Sequence, residues 1–189
     1  MATPTLLDWF EALTSFGVLI IAIWAARTAL TQLRVSAKTD LFHRFNDPDV
    51  RKQRRWIYEH CRQLTDVTKL STWAKDPESL KQLEAVCNSL DWAGLLVKNG
   101  LLRKSDAIDL YGDSLIRSWV TLRPWVHHTR DRRSSPKWLW SNFEELAEDA
   151  AKDKRFESWM SDGVPIYTPF EIATYNFKDS TIKSIDPIA

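Results

Sequence analysis

The chain has 189 residues and a mass of 22.0 kDa, enough for one ordinary domain and an appendage. Its 26 Lys and Arg against 25 Asp and Glu leave a net charge of +1, which argues against a dedicated nucleic-acid binder, a class with a marked basic excess. Hydrophobic residues at 44% with 5 Gly and 8 Pro exclude a disordered chain, while two cysteines, Cys61 and Cys87, exclude a disulfide framework.

The mean hydropathy of −0.35 hides an uneven distribution. From Ala12 to Ala26 the sequence ALTSFGVLIIAIWAA carries no charge, and Arg27 alone interrupts the stretch from Ala12 to Leu33. As a helix this stretch is about 33 Å long, against a hydrocarbon core about 30 Å thick. Trp9 and Phe10 at one end and Trp24 near the other suit interfacial anchors, and Arg27 near the inner end can snorkel. A secretory signal would begin with basic residues, whereas Asp8 and Glu11 precede this run. Residues Phe16 to Ala26 also lack the polar face of an interfacial helix. The expectation is one helix spanning a lipid bilayer, with a buried core helix as the alternative because the strictly uncharged part is short.

Acidic residues before the helix, and Arg27, Arg34, Lys38 and Arg44 after it, place the remaining chain in the cytoplasm by the positive-inside rule. Reduced, buried cysteines fit that compartment. Arg27, Arg34 and Lys38 are expected among lipid headgroups. The Ala22/Ala26 and Ala25/Ala29 pairs have the small-x-x-x-small spacing that lets helices approach closely, so a homo-oligomer is expected. No proline falls between Pro4 and Pro48, and Leu30, Leu33, Ala37, Leu41 and Phe45 continue an apolar stripe. One helix of about 40 residues therefore runs from lipid into the soluble domain.

Asp47-Pro48 pairs an N-cap with proline at the first helical position and starts a basic helix through Leu64, carrying Arg51, Lys52, Arg54, Arg55 and Arg62. After a loop rich in Thr, Ser and Lys, Asp76-Pro77 starts a second, with Leu80, Leu83, Cys87, Leu90, Gly94 and Val97 inward and Asn99-Gly100 at its end. A short helix from Ser105 to Tyr111 is expected before Gly112, and Asp113 caps the next, with Leu115, Trp119, Leu122 and Val126 inward and Pro124 breaking it. Pro136 opens the last, with Leu139, Phe143, Leu146 and Ala150. The fold class is all-α: a transmembrane helix and stalk (1–46), a cytoplasmic helical bundle (47–160) and an extended aromatic tail (161–189). That tail, with Tyr167, Phe170, Tyr175 and Phe177, either hangs loose or straps onto a neighbouring subunit.

Behind the apolar helix come RKQRRWIYE (51 to 59), LDWAGLLVKNGLL (90 to 102), LYGDSLIRSWVTLRPWV (110 to 126) and KWLWSNFEELA (137 to 147). This order resembles a widespread group of small bacterial single-pass proteins whose soluble part is a domain of unknown function. The likeness covers roughly residues 9 to 150 and implies a bacterial inner-membrane setting, with no established chemistry. In architecture the chain also looks like membrane accessory proteins linked to RNA-targeting CRISPR systems, which assemble into pores during phage infection. That likeness implies oligomerisation, or docking to a partner assembly, in antiviral defence.

One motif points to an enzyme. Helical HEPN-type metal-independent ribonucleases use R-x-x-x-x-H, in which His moves protons and Arg stabilises charge at phosphorus. Arg55 with His60 and Arg123 with His128 match it, although Trp56 and Pro124 stand where those enzymes carry a polar residue. The competing reading is a solvated basic face. For Arg55, Tyr58, Glu59, Asp91, Tyr111 and Arg117, which recur in the family-like motifs, a structural polar network is expected, with Arg117 as partner for a half-buried Glu59 or Asp91. No Gly-rich phosphate loop, H-E-x-x-H or zinc-ligand spacing is present, so neither a metal nor a cofactor is expected. These readings favour a non-enzymatic, membrane-anchored protein acting by self-association or partner docking. A tethered ribonuclease and a structural subunit of an inner-membrane complex are the alternatives.

Overall fold

A computed structural model describes residues 6–60, 64, 66–73, 75–132, 137–167, 171–178 and 182–187. Helix α1 (Leu6–Asn46) runs for 41 residues without a break, as the absence of proline predicts. Three of its hydroxyls are satisfied internally: Thr14, Thr28 and Thr31 each donate to the carbonyl four residues earlier at 2.9 Å. Burial divides the helix in two. Large apolar residues from Trp9 to Val35 are exposed, whereas Ala37, Leu41 and Phe45 are buried.

A rigid corner joins α1 to α2 (Pro48–Glu59). Asp47 caps α2 as expected, its Oδ1 accepting from Asp49 N at 2.8 Å and Val50 N at 3.3 Å. Arg54 reaches back from α2, donating Nη2 to Phe45 O at 2.7 Å while its guanidinium lies 5.0 Å from the Phe45 ring centre. A cation on the last carbonyls of α1 is favourable for the helix dipole as well as for the hydrogen bond.

The remaining helices are α3 (Val67–Trp73), α4 (Pro77–Lys98), α5 (Lys104–Arg132), α6 (Ser141–Ala151) and α7 (Glu157–Asp162), with a 3-10 turn at Lys154–Phe156. Asp76 caps α4 through Ser79. Helix α3 occupies part of the expected Thr/Ser/Lys-rich loop. Cys61 and Arg62 lie outside the described residues; Cys87 is buried, which pushes its thiol well above the usual range. The core lies where α4, α5 and α6 meet, with Trp119 edge-on to Phe143 at 5.3 Å between ring centres.

Two expected breaks are absent. The short helix before Gly112 and the Asp113-capped helix after it are one helix, α5, and Asp113 merely accepts from Ser114 N within it. Gly112 serves packing: a Cβ there would lie 2.8 Å from Phe156 Cε2. Nor does Pro124 end the helix. It costs about 3 kcal/mol in an exposed helix, yet Leu122, Trp125 and Val126 on either side are all buried, and their packing carries α5 through to Arg132. Pro136 lies outside the described residues, and α6 begins at Ser141.

The tail is extended, as expected, and is folded into an antiparallel sheet of order β1 (Val164–Tyr167), β2 (Glu171–Tyr175) and β3 (Ile182–Pro187). Val164 pairs with Tyr175 and Ile166 with Ala173, and all four side chains are buried. The strap thus docks on its own domain, β1 against α5. Phe170 lies outside the described residues. The fold class is all-α, with an N-terminal apolar helix and this small sheet appended.

Candidate functional site

The first candidate is the outer surface of α1. Val18, Leu19, Ile20 and Ile21, four consecutive residues that point around the whole helix, are all at least half exposed, as is Trp24 at 69%. None of the most apolar window of α1 is buried, and the helix is long and apolar enough to cross a membrane. A helix apolar on every side is the mark of one surrounded by apolar matter, whether a protein core or lipid. Among the described residues no core covers it. Ala22, Ala25, Ala26 and Ala29 lie exposed along it, with Arg27 beside them. Past the apolar stretch, Arg34 donates Nε to Gly100 O at 3.4 Å and Lys38 Nζ lies 3.6 Å from Asp106 Oδ2, so both reach the α4–α5 turn.

The second is the start of α6. Its cap residue, Trp140, is left-handed (φ 57°) and offers no side-chain oxygen to the first turn. Asp91 of α4 supplies it instead: Oδ1 accepts from Asn142 N at 3.0 Å and Phe143 N at 3.1 Å, and Oδ2 from Asn142 Nδ2 at 3.2 Å. Trp140 Nε1 donates to Asn88 Oδ1 at 2.8 Å. From α5, Arg130 donates to Leu139 O through Nε and Nη2 and to Glu144 Oε2 at 2.8 Å. The expected pairing of Asp91 with Arg117 is therefore replaced, because backbone N–H groups already satisfy the carboxylate.

Arg117 takes aromatic partners. Its guanidinium lies 4.9 Å from the Trp159 ring centre and 4.7 Å from that of Tyr167, pinning α7 and β1 to α5. Tyr58 OH and Ser118 Oγ share a hydrogen bond at 2.9 Å. Burial raises the Tyr58 phenol above its ordinary value, opposed by the Ser118 bond and by the nearby charges of Arg54 and Arg117. Burial likewise raises Tyr111, whose ring packs 4.2 Å from Phe45, and lowers Arg54. Of the expected network, Tyr58, Tyr111 and Arg117 are drawn inward, and Arg55 and Glu59 face outward.

The two ribonuclease-like pairs are not brought together. Residues five apart on a helix lie about 140° apart around its axis. Arg55 is exposed, whereas His60 donates Nδ1 to Trp56 O at 2.7 Å and stacks near Trp56 and Trp73. Arg123 donates Nη1 to Phe177 O at 3.1 Å, holding the sheet, and Nε to His127 Nε2 at 3.4 Å. His128 is half-buried, and its Nε2 has no hydrogen-bond partner among the described residues. Among the described residues no hydrogen bond joins either Arg to its His, and no group of three or more His, Cys, Asp or Glu could hold a metal ion.

Sequence reasoning passed over Asn88, Arg130, Asn142 and Ser118, and it assigned Arg54 to a carboxylate such as Glu59, Glu84 or Asp91 where the structure gives it Phe45 O. Asn88 sits on the same face of α4 as Asp91, three residues before it, and that spacing was the one available signal. Arg54 and Arg130 bind backbone carbonyls, whose position no side chain announces.

An exposed apolar helix rooted in a small helical domain defines the class of this chain. The chain belongs to the DUF4760 family, a domain of unknown function, which matches residues 12–150. That span holds α1 from Ala12 onward and all the helices through most of α6, and stops short of the sheet. No curated protein and no solved structure matches the chain.

Proposed function

We propose that this chain is a membrane-anchored, non-enzymatic helical protein that works by self-association or by docking a partner assembly. The observation that carries the reading is the exposure of apolar residues all round α1, on a helix whose last turns, at Leu41 and Phe45, are built into the domain core. Each large apolar side chain moved from water gains about 1.5–3 kcal/mol. Arg27 costs about 3 kcal/mol at the centre of a bilayer and less near its end, so the apolar side chains win by a wide margin. The basic flank of Arg27, Arg34, Lys38 and Arg44 favours a cytoplasmic domain, and the family resemblance favours a bacterial inner membrane.

Because α1 passes unbroken into the domain and Arg54 ties its end, a shift of the membrane helix moves the domain with it. The exposed Ala22/Ala26 and Ala25/Ala29 pairs support close helix contact between copies. The most specific form of this reading is an oligomeric pore acting in antiviral defence. The ribonuclease reading is the poorer one, since Arg123 is occupied by Phe177 O and His60 by Trp56 O.

Purification in mild detergent tests the reading. The expected mass is a multiple of 22.0 kDa. Ala22→Ile with Ala26→Ile should reduce it to the single chain, and dye leakage from liposomes reports whether the oligomer conducts. A wild-type protein that is monomeric and brings down no fixed partner contradicts the reading.

A further inference from the structure

At the end of its apolar stretch, α1 faces the α4–α5 turn across a groove of about 300 Å³ lined by Arg34, Val35, Lys38, Leu101, Arg103 and Asp106. That volume is at the lower end of small-molecule clefts, about 300–1,000 Å³. Three cations meet there from two distant parts of the sequence. Arg103 donates Nε to Asp106 Oδ2 at 3.2 Å and Nη2 to Oδ1 at 3.0 Å. Lys38 approaches the same carboxylate from α1, and Arg34 reaches the Gly100 carbonyl at the groove edge. The hydrogen bond from Arg103 holds the Asp106 carboxyl below its usual range, so it stays ionised and offsets one of the three positive charges. The groove retains a positive excess, and it adjoins the N-terminus of α5, where helix N–H groups add further positive potential.

Its height is fixed by the chain. Arg34 follows directly on Leu33, the end of a stretch about 33 Å long, and the headgroup layer beyond the hydrocarbon is about 5–7 Å deep on each side. The turn from Arg34 to Lys38 therefore lies in that layer, with exposed Leu30 and Leu33 on its bilayer side.

We propose that this groove binds the phosphate of an anionic membrane lipid through Arg34, Lys38 and Arg103, clamping the soluble domain against the bilayer surface. The clamp rests on the membrane-anchor reading. It differs from a basic flank in needing Arg103, which reaches the headgroup layer only when the helical domain is folded against α1. Free inorganic phosphate offers the same chemistry, and the experiment separates the two sources.

Flotation of the full chain with phosphatidylcholine vesicles is read first, for wild type and Arg103→Gln alike. The chain is then titrated in zwitterionic detergent with short-chain phosphatidylglycerol, short-chain phosphatidylcholine or inorganic phosphate, following the thermal midpoint. Both proteins should float. Phosphatidylglycerol should raise the wild-type midpoint where the other two do not, and Arg103→Gln should weaken that response about fivefold, with Arg103→Lys restoring most of it. Lys81→Gln, an exposed change elsewhere on α4, should respond as wild type. Flotation with an unaltered phosphatidylglycerol response in Arg103→Gln overturns the clamp alone. An equal response to inorganic phosphate overturns the lipid assignment, and wild-type protein that fails to float overturns both the anchor and the clamp.

Discussion

Asp91 caps a helix other than its own: its carboxylate on α4 lies 3.0 Å from Asn142 N in the first turn of α6. Replacing it with Ala removes hydrogen bonds to Asn142 and Phe143 together and should cost about 1–3 kcal/mol. Asn, which keeps one acceptor oxygen, should cost less. Thermal melts of the full chain in detergent check the order wild type, Asn, Ala. Equal midpoints would remove Asp91 from the account of how the bundle is held.

One turn along α4, Gly94 lets the same residue come close. A Cβ at Gly94 would stand 2.1 Å from Asn142 O, a backbone atom that cannot swing aside. Gly94→Ala gains about 1 kcal/mol of helix propensity and should still lower stability, because separating α4 from α6 costs about 1–3 kcal/mol. A raised melting midpoint would contradict the close approach.

The sheet hangs on Arg117 and Arg123. Loss of the Trp159 and Tyr167 contacts in Arg117→Ala, each worth about 0.5–2 kcal/mol, should loosen β1 and β2 before the helices. Hydrogen exchange should then speed up at residues 164–167 and 171–175 while α4 and α6 keep their protection. Uniform acceleration over all the helices would show that the sheet is not a separable layer.

His127 titrates below its ordinary value of 6.5, first because burial disfavours the imidazolium and next because Arg123 lies beside it. The unfolded chain binds this proton more readily, so the stability tied to His127 is full above about pH 6.5 and declines as pH falls through that value towards the folded pKa. Arg123→Gln removes the neighbouring charge and leaves most of the burial, so the pKa should rise without reaching 6.5. An NMR titration of the His127 ring reads it directly. A pKa unchanged by the substitution would assign the whole shift to burial.

What was legible in the sequence was what local chemistry decides. Asp47-Pro48 and Asp76-Pro77 start helices because cap and proline act within a single turn, and α1 is legible because its composition changes at Ala12 and again at Arg34. Gly112 and Pro124 misled because they punctuate locally, whereas the buried flanks of Pro124 and the fit of Phe156 against Gly112 are decided by tertiary packing. Asp91 found backbone N–H groups, which carry no residue identity in a sequence. The strands were too short for alternation to register, and Pro165, on edge strand β1, hid them further. The α1 surface was legible in its uncharged run, and the groove beside it to the extent that Arg34 and Lys38 follow the apolar stretch of α1. Arg103 joins them only through the fold.

Solvation of the apolar part of α1 by lipid can be read from alkaline carbonate extraction of membranes from expressing cells. The full chain should stay with the sedimented membranes at high pH and leave them only with detergent. Recovery of the folded chain in the carbonate supernatant would contradict it.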